Sequence, residues 1–411
     1  MHQPSDAPLP PGLEPIPPGN DLAGPGSTLI ELSDVAMANS PQVREAYDAF
    51  VAAQNRAYQA SLYPNPTMGT ASPQLTGNQS QYSAYVIQDV VTKNKIGLDT
   101  AAAERAAREA ELNLVRARFD VLTMVRQRFY TALAMQQRVQ VLEAMVSIAR
   151  TSHRMSERLL AAGVGARGDV LLLQIELSRA EAELRNANIL AETSRRQLAA
   201  ATGIIDLPIE RVKGDFAAPL PDYEVMAVER GVITRNANAQ SAQVEVSRNQ
   251  YLLRRAQVEP FPNVNMMGGY QYQGPGANSP VDQGIYQIQM VMPLWNRNQG
   301  NIRAASATVS ASVAALGRVR TELANDAASA VGRYLTARQL AERYEKEILP
   351  SAVELQNISS QLYREGQIDF LRYLASQRAL LDANLSYISA QMDRWVAAAE
   401  VASLLQSEQF P

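Results

Sequence analysis

The residue types that do chemistry are sparse in this chain. Of 411 residues two are histidines, His2 and His153, and none is cysteine. Without cysteine there is no disulfide, no thiol catalysis and no thiolate metal site. His153 stands alone in a helical stretch, and no Asp/Glu/His group has ligand spacing, so neither a metal nor a cofactor is expected. No glycine-rich phosphate loop is followed by Lys and Ser/Thr, and no nucleophile elbow occurs. Carboxylates are numerous, but Glu104, Glu109, Glu111, Glu176, Glu181 and Glu183 are spaced as on solvated helix faces. Net charge is only −3, with basic residues spread rather than clustered, which argues against a nucleic-acid partner. These residues predict a non-enzyme.

What the chain does have is a turn that occurs twice. Gly163-Val164-Gly165-Ala166-Arg167-Gly168-Asp169-Val170-Leu171 ends one long helical stretch and opens the next. Gly366-Gln367-Ile368-Asp369-Phe370-Leu371-Arg372-Tyr373-Leu374 does the same, displaced by about 203 residues. A period of half the chain points to one fold built from two similar halves.

Residues 1–27 are rich in Pro and Gly and read as an extended tail, either a disordered leader or an arm along the body. Thr28-Leu29-Ile30-Glu31 has capping-box spacing, and Ser40-Pro41 restarts the helix, which Pro64 and Pro66 end. The first repeat spans 28–202, with a hairpin over 66–91 whose polar tip lies near Thr76-Gly77-Asn78, a long helix over 98–162 and a helix over 168–201. An irregular linker over 203–222 joins it to the second repeat, 223–405: one helix to about Val258, a hairpin over 262–294, an unbroken helix over 302–365 and another over 369–405. Residues 406–411 form a short tail. At 1.5 Å per residue the long helix makes a rod of roughly 100 Å, more than a compact domain needs. The two hairpins supply the chain's only four strands. The repeat slips register only at the second hairpin loop, where insertions are tolerated.

The second hairpin alternates. Val264, Met266, Tyr270 and Tyr272 alternate with Asn263, Asn265 and Gln271; Tyr286, Ile288, Met290 and Met292 alternate with Gln287 and Gln289. Each strand has one apolar and one mostly polar face. A sandwich, or a sheet packed on helices, would show the same alternation. Four strands, however, are too few to cover themselves, and rods of that length do not fold back over a small sheet. Three chains together would supply twelve strands with no free edge, and a closed barrel is the only sheet that can sit in lipid. The first set of side chains is then lipid-facing and the second lumen-facing. No segment approaches the roughly 20 apolar residues of a membrane-spanning helix. Met1 to Pro18 has no apolar core like that of a signal peptide, so the chain reads as cytosolic or as a mature exported form.

Four motifs in the right order then carry a resemblance over 28–405. They are Ala38-Asn39-Ser40-Pro41-Gln42-Val43, Tyr63-Pro64-Asn65-Pro66-Thr67, the string from Pro293-Leu294-Trp295-Asn296 to Gly300-Asn301-Ile302, and the repeated turn. The chain resembles the TolC family of outer-membrane efflux channels, and the Pro293–Ile302 string is most similar to the cobalt–zinc–cadmium subgroup. The resemblance implies a mainly α fold with a small β part: a homotrimer with a twelve-stranded barrel in outer-membrane lipid and an α-helical tunnel in the periplasm. It implies a passive exit duct for metal ions or small toxic compounds. Its partners would be a periplasmic adaptor and an inner-membrane transporter of the resistance-nodulation-division type.

By that resemblance Gly163, Val164, Gly165, Ala166, Gly366, Gln367, Ile368 and Asp369 form the periplasmic tip where the adaptor docks. The family often carries acids just after the second turn; here those positions are Arg372 and Ala375, while Asp169 keeps an acid in the first half. An Asp169–Arg372 pairing across neighbouring helices is expected to hold the tip closed. Two other readings remain open: a type I secretion channel for a protein substrate, and a non-membrane coiled-coil scaffold, which would be soluble without detergent.

Overall fold

The computed structural model describes residues 26–74, 81–163, 165–273, 281–365 and 367–410. Contacts divide the chain into two compact units. Unit 1 takes the described residues up to Arg44, Ala117–Asn236 and those from Glu322 on; unit 2 takes Glu45–Arg116 and Ala237–Thr321. Each unit therefore draws on both sequence repeats.

In unit 1, Thr28 caps α1 (Leu29–Asn39): its hydroxyl accepts from Glu31 N while Glu31 returns a bond to Thr28 N. The long α3 (Lys95–Ala161) enters the unit at Ala117 and is followed by α4 (Arg167–Ala201). α4 buries Leu173, Ala180, Ala187, Ser194 and Ala201, spaced by seven, with Leu177, Leu184, Ala191 and Leu198 on the second seam. That period is the heptad of a left-handed supercoil. α5 (Val225–Arg235) stops at Asn236, so the single helix expected to Val258 is two. Asn236 repeats the Ser40 break one half-chain later; both residues take extended backbone, which a helix cannot continue.

The unbroken helix expected over 302–365 is also interrupted. α7 (Gln299–Arg343) runs into one π-turn, Tyr344–Ile348, before α8 (Leu349–Arg364). Pro350 explains it: a proline lacks the N–H for the carbonyl four residues back and collides with it, and a one-residue widening relieves both. Leu349 N then bonds Tyr344 O. α9 (Phe370–Leu404) completes the unit.

The linker is not structureless. Its β4 (Val212–Lys213) pairs in parallel with β1 (Ser27–Thr28), so six strands stand among the described residues rather than four. Gln136 reads the linker as a strand would, its amide giving to Val212 O and accepting from Val212 N. Ile209, Val212 and Phe216 enter the core. That core centres on Trp395, fully buried, stacked on Tyr130 at 4.3 Å and donating to Phe216 O. The last described residues close it. Buried Arg126 donates to Ser407 O and Glu408 O and lies over the ring of Phe410, 4.7 Å away.

Unit 2 holds α2 (Pro41–Ser61, from Glu45), α6 (Ala237–Val258), the first turns of α3 and α7, and one sheet. The sheet has four antiparallel strands in the order β2 (Thr67–Gln74), β3 (Gln81–Val90), β5 (Val264–Gln273) and β6 (Val281–Met290). Thr76, Gly77 and Asn78 lie outside the described residues.

Candidate functional site: a two-faced sheet and two helical turns

The register fixes which side chains share a face. Val264 stands opposite Met290, Met266 opposite Ile288, Gly268 opposite Tyr286 and Tyr272 opposite Asp282. Val86 lies beside Gly268, and Met68 beside Val86. Tyr270 falls on the same face, which is mostly apolar apart from Thr70, Gln88 and Asp282, and open: Met68 is 80 % and Tyr286 87 % exposed. Met292 lies two residues beyond β6 and is exposed too. The opposite face carries Asn265 opposite Gln289, Met267 opposite Gln287 and Gln271 opposite Gln283. Along β5 this polar face is half-buried while the apolar one is exposed, as on the inside of a curled sheet. The outer edges of β2 and β6 pair with nothing among the described residues.

Asn263 stands apart from the other polar candidates. It precedes β5, and its carboxamide oxygen accepts from Lys95 Nζ at 3.0 Å and from Thr92 N at 3.4 Å. It belongs to the junction of strands and helices. Lys95 there is buried and also donates to Phe261 O, with Glu259 3.8 Å away. Arg255 bridges Asp99 and Glu259 and holds Glu259 below the usual carboxylate range. A cavity of about 660 Å³ opens beside it, lined by Asp89, Lys95, Asn265, Gln289 and Asn298 among others. Nothing in the spacing of Lys95 marks it; a lone lysine near a helix start normally reads as solvated.

In unit 1 the two turns have been built differently. Gly163 ends α3 with φ +76°, the left-handed conformation that favours glycine. Gly165 N bonds Leu159 O, and a Cβ on Gly165 would come within 2.8 Å of Leu160 N, so a side chain there would displace backbone. Ala166 is the N-cap of α4 and offers no side-chain bond. In the second turn Asp369 occupies the same position and accepts from Arg372 N at 3.0 Å. Gln367 N bonds Leu362 O, and its amide reaches Glu365. Ile368 follows it, half-buried. Val164 and Gly366 lie outside the described residues.

Asp169 and Arg372 both sit in the first helical turn, and no ion pair joins them among the described residues of one chain. Behind the second turn Tyr363 stacks on buried Tyr373 at 5.2 Å, with Phe370 edge-on. Burial pushes the Tyr363 hydroxyl up, and the charge of Asp169 adds to it. The ion pair that does join α4 to α9 is Glu176 with Arg378, with Arg179 3.6 Å from the same carboxylate. Glu176 is buried, contrary to the solvated face its charge predicts. One signal was available: it sits beside the heptad seam, three residues after Leu173 and four before Ala180. Among the described residues no three His, Asp or Glu side chains could hold a metal, and no helix is long and apolar enough to cross a membrane.

Residues 232–406 match the family described as outer membrane efflux protein. The cobalt-zinc-cadmium resistance protein CzcC of Cupriavidus metallidurans is 22% identical over 347 residues, covering 84% of this chain and 82% of CzcC. A membrane protein from Pseudomonas aeruginosa superposes with TM-score 0.80 at 18% identity, over 97% of this chain and 99% of that one. VceC of Vibrio cholerae gives 0.76 at 18% identity, over 92% and 96%. At such identities the superpositions establish the fold.

Proposed function

We propose that this chain is a member of the outer membrane efflux protein family, whose model matches residues 232–406, and that three copies close one barrel and form the exit duct of a tripartite efflux system. The observation that carries this is the sheet of unit 2: four strands, two free edges, one open apolar face. A strand edge in water invites pairing, and an apolar face of this extent needs a cover. Joining β6 of one copy to β2 of the next satisfies every edge, at twelve strands in three copies. β3, β5 and β6 are ten residues each, enough for a tilted strand to cross a bilayer. The apolar face then meets lipid, and Asn265, Gln271, Gln287 and Gln289 meet the lumen.

The helices stand on the periplasmic side, and the two turns form the end where a periplasmic adaptor docks. Energy comes from an inner-membrane transporter, the partner that a tripartite system supplies. The likeness to CzcC favours heavy-metal ions as cargo over a secreted protein. Purified in detergent, the 44.9 kDa chain is expected as a trimer that conducts ions across planar bilayers. A monomer soluble without detergent, with no conductance, would instead establish the scaffold reading.

A further inference from the structure

The polar face of the sheet is not uniformly polar. Asp89, Asn265 and Gln289 make one row across it, and Ser83, Gln271 and Gln283 another. Between them run two rows of different character: Thr67, Ile87, Met267 and Gln287, and then Gly69, Tyr85, Gly269 and Ile285. Tyr85 thus stands between two glycines, and the two do different things. A Cβ on Gly269 would come within 2.4 Å of the backbone oxygen of Ala84, so that glycine permits the close approach of the strands themselves. For a Cβ on Gly69 the nearest atoms are not backbone. It would come within 2.7 Å of Cζ and Oη of Tyr85, the far end of one side chain. The far end of the ring therefore lies over Gly69, in the space where any other residue would place its side chain.

We propose that Gly69 sets the bore of the barrel: its missing side chain is the recess that holds Tyr85 against the wall, and any side chain at 69 lifts the ring into the lumen. This rests on the reading of the polar face as a lumen. With three copies around one axis, three rings move together, so a local change of one methyl group is amplified into a constriction. The ring gives way because it turns about its own side-chain bonds, whereas the Gly269 contact involves backbone and has no such freedom.

The chain has no cysteine, so single thiols report cleanly. Gln289→Cys lies beyond the Tyr85 row as seen from the hairpin tips, and Gln283→Cys lies before it. Maleimides of graded size are added outside intact cells carrying the full-length protein. In Gly69→Ala the rate at Gln289→Cys is expected to fall at least about fivefold for the larger reagents and little for the smallest, since pore radius sets access. Gln283→Cys should react as before, and adding Tyr85→Ala should restore the larger reagents. Unchanged size dependence in Gly69→Ala overturns the proposal. Tyr85→Ala alone gives a second reading that does not depend on how Gly69→Ala folds. A ring seated over Gly69 predicts little change, and a large rise in access would mean that the ring already projects into the lumen. If Gln289→Cys resists even the smallest reagent in the parent while Gln283→Cys reacts, the face is not a through-lumen, and the channel reading falls along with this one.

Discussion

Glu176 shows what a single charge can hide. A carboxylate on a helix reads as solvated, and for Glu181, which pairs with Arg150 at the surface, that reading suits. Glu176 is buried, and its charge is tolerated because Arg378 reaches it from α9 and Arg179 from one turn on. Removing one partner of a buried ion is worse than neutralising the ion, because a desolvated charge is left unbalanced. Arg378→Ala should lower unfolding stability by roughly 1–3 kcal/mol, discounted because Arg378 is itself 43% exposed. Glu176→Gln should cost less. Denaturant unfolding of the two variants checks the order, and equal losses would mean that packing, not charge, dominates. The roles of Lys95 and of the Glu176–Arg378 pair were hard to read in the sequence for one reason. Each depends on a partner 166 or 202 residues away, which no local pattern records; the Tyr85–Gly69 recess lies within one hairpin, but it depends on the strand register, which the sequence did not give.

At the scale of elements the sequence was more informative, because helix ends and strand faces are local chemistry. The Thr28–Glu31 capping box forms as its spacing predicts, Gly163 takes the left-handed turn, and the alternation of β5 and β6 sorts the side chains to two faces. The two helices that depart from that pattern do so for local causes: Pro350 in an otherwise unbroken helix, and Asn236 at the repeat of Ser40. The linker was missed differently, since Val212 and Phe216 are packed by residues of other elements. The two turns also differ in a way that can be exploited. Asp369 caps α9, whereas Ala166 leaves the first amides of α4 without a side-chain acceptor. Asp369→Ala should destabilise by about 1 kcal/mol and Ala166→Asp should stabilise by a similar amount. Thermal melting of the two variants measures both, and a loss in Ala166→Asp would show that the first turn is held by contacts a carboxylate disturbs.

For the whole molecule, the open question at the turns is what Arg372 meets. It finds no carboxylate among the described residues of its own chain, and Asp169 lies at the equivalent point of the other repeat. A pairing between copies around the axis would draw the tips together, so Arg372→Ala trimers are expected to show higher resting conductance in planar bilayers. An unchanged conductance counts against that pairing.

The closing contacts at Arg126 bear on timing. They join residues 281 and 282 positions apart, a loop whose closure costs roughly 5 kcal/mol of chain entropy. The aromatic centre made by Tyr130, Trp395 and Phe410 gains its last ring only when the final residues are present. The hairpins of unit 2 have all their residues by Thr321, so they exist as complete sequence, with free edges and an apolar face, before unit 1 can close. Closing unit 1 does not cover them: the edges of β2 and β6 stay unpaired among the described residues of the finished single chain, so the adhesive interval lasts until copies assemble.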